Sequence, residues 1–143
     1  MYLMGNELFI KIFCNFAKYK HIKSKSTMEN QKFQIVSCSG ASNTGKFADE
    51  VARVLMSQGN AKMLCLARFS IDKPFAKTTK GEIAKLVVLD GCSIDCAKKT
   101  MLENGIENFT HIHTTDYGIV KGQTPFSKEK AMEIVEDIKE RVK

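Results

Sequence analysis

Ala84-Lys85-Leu86-Val87-Val88-Leu89, followed at once by Asp90-Gly91-Cys92, is the stretch that decides the fold. Four successive apolar residues leave no polar face, so the segment reads as a strand buried on both sides, with a layer of structure above it and another below. Asp90 is placed to cap the helix that follows, which is expected to run to about Glu103 and to end at Asn104-Gly105.

Working outward, the periodicity switches repeatedly between strand and helix. Phe33 to Cys38 reads as a strand, followed by a Gly/Ser/Asn loop and a helix from Phe47 to Met56 with Phe47, Val51, Val54 and Leu55 facing inward. Lys62 to Leu66 is a second strand, and Pro74 opens a short helix through Lys80. Phe109 to Thr114 alternates as a fourth strand. Ser127 starts a final helix whose expected buried stripe is Met132, Val135, Ile138 and Val142. Strands alternating with helices imply parallel pairing through right-handed crossovers. The expected architecture is a three-layer α/β domain of flavodoxin or Rossmann type, with a mostly parallel four-stranded sheet in which the first strand lies between the second and third.

With 143 residues the chain is the size of one domain. It divides near Met28. Residues 1–27 hold five lysines and one acid, and form a basic extension read as disordered or as preceding the true start at Met28; residues 28–143 form the single α/β domain. The overall charge of +6 is therefore concentrated outside the domain, and no basic patch interleaved with aromatics points to nucleic acid. No apolar run is long enough to span a bilayer. Met1 to Tyr19 scatters lysines among its apolar residues and lacks a small-residue cleavage site, so no secretory signal is expected. A reducing, cytoplasmic setting follows, where clustered cysteines bind metal or do redox chemistry.

Cys38, Cys65, Cys92 and Cys96 each fall where a predicted strand ends or the next helix begins, while Cys14 lies in the extension. In a parallel sheet those ends share one edge, at the crevice where α/β proteins bind ligands. Four thiolates make a tetrahedral donor set suited to zinc, and equally to an iron-sulfur cluster. Cys92 and Cys96, four apart, are expected on one face of a helix, and backbone N–H groups around Asp90 and Gly91 offer outer support to the sulfurs. The loop Ser39-Gly40-Ala41-Ser42-Asn43-Thr44-Gly45-Lys46 fits seven positions of a phosphate loop, but Phe47 stands where a hydroxyl should bind the metal. What remains is a small-anion loop formed by Ser39, Gly40, Ser42, Asn43, Thr44 and Gly45, or a tight strand-to-helix turn.

Cys38-Ser39-Gly40-Ala41-Ser42-Asn43-Thr44-Gly45, Met63-Leu64-Cys65-Leu66-Ala67, and Asp90-Gly91-Cys92 with Cys96-Ala97-Lys98-Lys99 resemble the DGC-domain family over roughly residues 33–122. The resemblance implies zinc held by four cysteines, here Cys38, Cys65, Cys92 and Cys96, with no assigned reaction.

His111 and His113 alternate onto one face of the fourth strand and are read as surface histidines, His113 being the substitute should one cysteine take no part. Asp116 and Tyr117 are assigned no chemistry. The alternative to a metal protein is a thiol enzyme for redox or sulfur transfer, in which Cys38 attacks and Cys92 or Cys96 resolves. Neither substrate, protein partner nor oligomeric state is legible.

Overall fold

The computed structural model describes residues 32–143; the basic extension and Cys14 lie outside the described residues. Four strands, β1 (Phe33–Ser37), β2 (Ala61–Leu64), β3 (Leu86–Asp90) and β4 (Thr110–His113), form one sheet in the order β2-β1-β3-β4, and every pairing is parallel. All five residues of β3 are buried, as its apolar run requires of a central strand.

Alternation along the strands divides the core between two faces. Phe33, Ile35, Val87, Leu89 and Ile112 pack against α1 (Asn43–Ser57) and α5 (Lys128–Arg141). Val36, Leu64, Leu86 and Val88 pack on the opposite face against α2 (Leu66–Ile71), α3 (Lys73–Glu82) and α4 (Cys96–Glu103), through Phe69, Ala76, Ala97 and Met101. The molecule is thus the expected three-layer α/β sandwich, with β1 between β2 and β3.

Several element boundaries differ from the sequence expectation, each for a local reason. Helix α1 begins at Asn43 rather than Phe47 because the Ser42 hydroxyl accepts from the Gly45 N–H at 3.2 Å, winding Asn-Thr-Gly-Lys into the first turn. Strand β2 ends at Leu64, which leaves Cys65 as the cap residue of α2, a six-residue helix too short to carry a periodic signal. Asp72 opens α3 by accepting from the Phe75 N–H at 2.9 Å, with Pro74 in the first turn. On α5 the inward stripe is Ala131, Ile134, Val135, Ile138 and Val142, and Met132 is exposed; the stripe is set by Ala131, one residue earlier than the expectation built on Met132.

Candidate metal centre at the carboxyl edge of the sheet

Each of the four cysteines sits at the carboxyl edge. Cys65, Cys38 and Cys92 follow β2, β1 and β3 within two residues of their ends, and Cys96 is the first residue of α4. Since β1 is central to this trio of strands, Cys38 stands between Cys65 on one side and the Cys92/Cys96 segment on the other. Its own N–H still donates to the Leu89 carbonyl at 2.9 Å, which ties the residue to β3.

On the β2 side, Cys38 and Cys65 line one open cleft of about 360 Å³ together with Ser39, Asp49, Arg53 and Met63. On the β3 side, Cys38, Asp90 and Cys92 act electrostatically on Cys96. Burial of its sulfur pushes the Cys96 thiol up from the ordinary range, and Cys38, Asp90 and Cys92 push it further in that order. The residue as a whole is nonetheless exposed, so its sulfur is only partly screened from water. The Lys121 ammonium lies 3.5 Å from the Cys92 Sγ and brings positive charge to the rim.

The expected pairing of Cys92 and Cys96 on one helix face does not form. Cys92 lies in a turn closed by the Asp95 N–H donating to the Cys92 carbonyl at 3.1 Å, and the helix begins only at Cys96. The cause is Asp90. Its carboxylate, 1 % exposed, accepts from the N–H groups of Ala97 at 2.8 Å and Lys98 at 3.0 Å, so it caps α4 from across the turn instead of from the adjacent position. The five intervening residues therefore loop out, carrying Cys92.

Gly91 passes against the start of α1 so closely that a Cβ there would lie 2.6 Å from the Gly45 nitrogen. Only glycine permits this approach of the β3 end to the loop after β1. Thr114, fully buried, completes the joint by donating to the carbonyls of Thr44 and Gly91 at 3.0 and 3.1 Å.

In the loop after Cys38, Gly40 takes a φ of +81°, open to glycine at little steric cost. The Ser42 hydroxyl is engaged with Gly45 and with Thr44, and Thr44 is buried. Asn43 donates to the carbonyls of Val120 and Thr124, both at 2.9 Å, and accepts from the Gly122 N–H at 2.7 Å. These three side chains hold the loop and its neighbour in shape, and among the expected anion-binding residues Ser39 faces the cleft beside Cys38. Lys46 turns away to lie over the Phe126 ring at 4.7 Å.

A second constellation lies beside the thiols. His111 Nε2 is 3.0 Å from Asp90 Oδ2, and His113 Nε2 is 2.5 Å from Asp95 Oδ1. The hydrogen bond from His113 holds the Asp95 carboxyl below its usual range. Among the described residues, Asp95, His111 and His113 form the one group of three or more metal-binding side chains whose ligand atoms all lie within 4.8 Å of one another; no three of the four sulfurs approach that closely. Strand alternation predicts the shared face of the two histidines. The part played by Asp95 rests on its left-handed backbone, φ 59° and ψ 42°, which no spacing rule reveals.

Fold and edge together define a parallel α/β domain with thiols at adjacent strand ends. The chain belongs to the DGC domain family, whose model matches residues 34–138. It is also similar to the anaerobic and virulence modulator AnvM of Pseudomonas aeruginosa, at 26 % identity over 87 residues, covering 61 % of this chain and 66 % of that protein, just under two thirds of its length. No solved structure matches the chain. Among the described residues no helix is long and apolar enough to cross a membrane.

Proposed function

We propose that this chain is a zinc-binding protein whose ion is held by the thiolates of Cys38, Cys65, Cys92 and Cys96 at the carboxyl edge of the sheet. The observation that carries the reading is the strand order, which sets three of the four cysteines on adjacent strand ends with the fourth opening the next helix. Neighbouring strands are about 4.8 Å apart. Sulfurs around one tetrahedral zinc are about 3.8 Å apart, given Zn–S bonds near 2.3 Å. Cys65 and Cys96 are exposed, so their side chains are free to turn, and closing the site asks the segments that carry them to draw in toward Cys38. The donor set is all sulfur, which suits zinc, and Lys121 offsets part of the formal −2 charge of zinc with four thiolates.

Two hydrophobic clusters already order the domain on both faces of the sheet, so the ion has a working role in metal handling, sensing or sulfur chemistry rather than a structural one. Similarity to a protein named as an anaerobic and virulence modulator favours sensing, since reduced thiols are lost as oxygen rises.

Elemental analysis of anaerobically purified protein, paired with a count of reactive thiols before and after chelation, tests this. One zinc per chain is expected, with four of the five cysteines protected until the chelator is added, and with the fold retained afterwards. Absence of zinc with every thiol reactive would sink it, and a brown chromophore would replace zinc by an iron-sulfur cluster.

One observation favours a thiol-enzyme reading. Cys38 and Cys65 open onto the same cleft as Arg53, a cation able to hold an oxyanion substrate, although Asp49 pairs with that arginine at 2.6 Å. Protection of all four thiols by metal counts against that reading, whereas a metal-free protein with one hyper-reactive Cys38 supports it.

A further inference from the structure

We propose that Asp95, His111 and His113 form a second metal site, separate from the thiols, that takes a divalent first-row transition ion through two imidazole nitrogens and one carboxylate oxygen. The three ligand atoms are already gathered. Asp95 Oδ1 lies 2.5 Å from His113 Nε2 and 4.0 Å from His111 Nε2. Ligands around an ion bound at about 2.0 to 2.2 Å are separated by about 3.3 Å, so one contact must lengthen and the other shorten by less than 1 Å.

Three features of the chain support the arrangement. Alternation along β4 puts both imidazoles on the α4 side of the sheet, with ring centroids 4.4 Å apart. Asp95 adopts a left-handed conformation without making a capping bond to its own helix, because Asp90 has taken that task; its Oδ1 faces the histidines, while Oδ2 lies 3.7 Å from the Lys98 ammonium. The outer surroundings of His113 are those a metal-binding histidine uses: Nε2 faces Asp95, and Asp116, anchored by the His113 N–H at 3.3 Å, lies 3.9 Å from the other ring nitrogen, Nδ1. His111 Nε2 is held 3.0 Å from the buried Asp90 carboxylate, a hydrogen bond that an ion at this nitrogen must displace.

All three residues are partly exposed, with side chains 16 to 25 % accessible, so an ion can enter and retain water or a substrate atom in its remaining positions. Two imidazoles with one carboxylate and open positions suit zinc or ferrous iron, and differ in kind from a closed four-thiolate centre. The proposal stands whether or not the thiols bind zinc.

Cobalt(II) is the probe, titrated anaerobically into the metal-free full chain. Thiolate-bound cobalt gives a strong sulfur-to-metal charge-transfer band, and nitrogen/oxygen-bound cobalt gives only weak visible bands. The wild type is expected to take up one equivalent without the charge-transfer band, in addition to any that shows it. His113→Gln and Asp95→Asn each should weaken that equivalent at least about a hundredfold while leaving the charge-transfer signal unchanged. A variant with Cys38, Cys65, Cys92 and Cys96 all changed to Ser should keep it. If that variant fails to fold, the comparison of wild type with Asp95→Asn decides: equal uptake with equal spectra overturns the proposal, and loss of one weakly absorbing equivalent upholds it.

Discussion

At the β2-β1-β3 end of the carboxyl edge, four soft sulfurs sit on adjacent elements without three of them in mutual reach; at the β3-β4 end, two imidazoles and a carboxylate are already in contact. The difference comes from how each group is held. The sulfurs sit on the turns and caps that follow strands, and Cys65 and Cys96 face solvent. The histidines project from a paired strand whose register with β3 is set by ladder hydrogen bonds, Val88 opposite His111 and Asp90 opposite His113. Ligands on a strand are positioned by the sheet, whereas ligands on turns gain their final geometry from whatever they bind.

Asp90 is the residue on which both regions depend, so its removal is expected to have the largest effect. Its carboxylate accepts from two N–H groups of α4 and lies against His111, all while fully buried. Asp90→Ala leaves those donors unpaired and should cost on the order of 3 to 4 kcal/mol, read as a lowered urea midpoint. Because α4 carries Cys96 and follows Asp95, metal uptake at both ends should fall together. Retention of either site at full affinity would separate the two regions and show that the cap is not their common support.

Gly91→Ala attacks the thiol end alone. A Cβ 2.6 Å from a backbone nitrogen cannot be relieved by a side-chain rotation, so the β3 end and the start of α1 must part. About 2 kcal/mol of stability should be lost. Cys38 and Cys92 belong to the two segments forced apart, so thiol protection by zinc should weaken while cobalt binding at Asp95, His111 and His113 persists. Equal loss at both ends would mean that the displacement travels through Thr114, which bonds both segments.

The contrast between the two ends also marks what could be read from sequence. The double-sided apolar run Leu86 to Leu89, and the switch of periodicity around it, are enough to give the parallel sheet, whereas the central place of β1 comes from assuming a flavodoxin-like strand order, which the structure has. The edge location of Cys38, Cys65, Cys92 and Cys96 follows from the same pattern. What the pattern could not supply is a cap acting at a distance. Asp90 bonds residues seven and eight further on, so the helix starts late and Cys92 leaves it, while Asp95 fills the N-cap position without making a side-chain capping bond. The same blindness covers Asn43, whose partners lie more than seventy residues away, and Met132, where two neighbouring registers of the α5 stripe differ by one apolar residue.

Asn43→Ala should release the loop from Val120 to Thr124 from the first turn of α1, at a cost of about 1 to 2 kcal/mol for three hydrogen bonds at a partly exposed site. Faster amide exchange confined to residues 120–124 and the start of α1 is the expected readout. Global loss of protection would make this contact part of the core rather than a tether.

Lys121→Ala should have the smallest effect and the most selective one. The ammonium lies 3.5 Å from the Cys92 sulfur on an exposed loop, so it contributes little to folding, and the urea midpoint should not move measurably. Its effect falls on the charge of the thiolate cluster. Four thiolates around zinc leave a formal −2, and losing one nearby cation should weaken zinc binding about twofold to fivefold in low salt, corresponding to the 0.5 to 1 kcal/mol typical of exposed ion pairs. The loss should shrink as ionic strength rises and the Debye length contracts to about 8 Å or less. At the His/Asp end the same variant should change nothing. Competition against a chelator of known affinity, at two salt concentrations, measures the first expectation, and cobalt uptake without charge transfer measures the second. Unchanged zinc affinity at low salt would remove Lys121 from the thiol centre and leave Cys92 without its one charged neighbour on that loop.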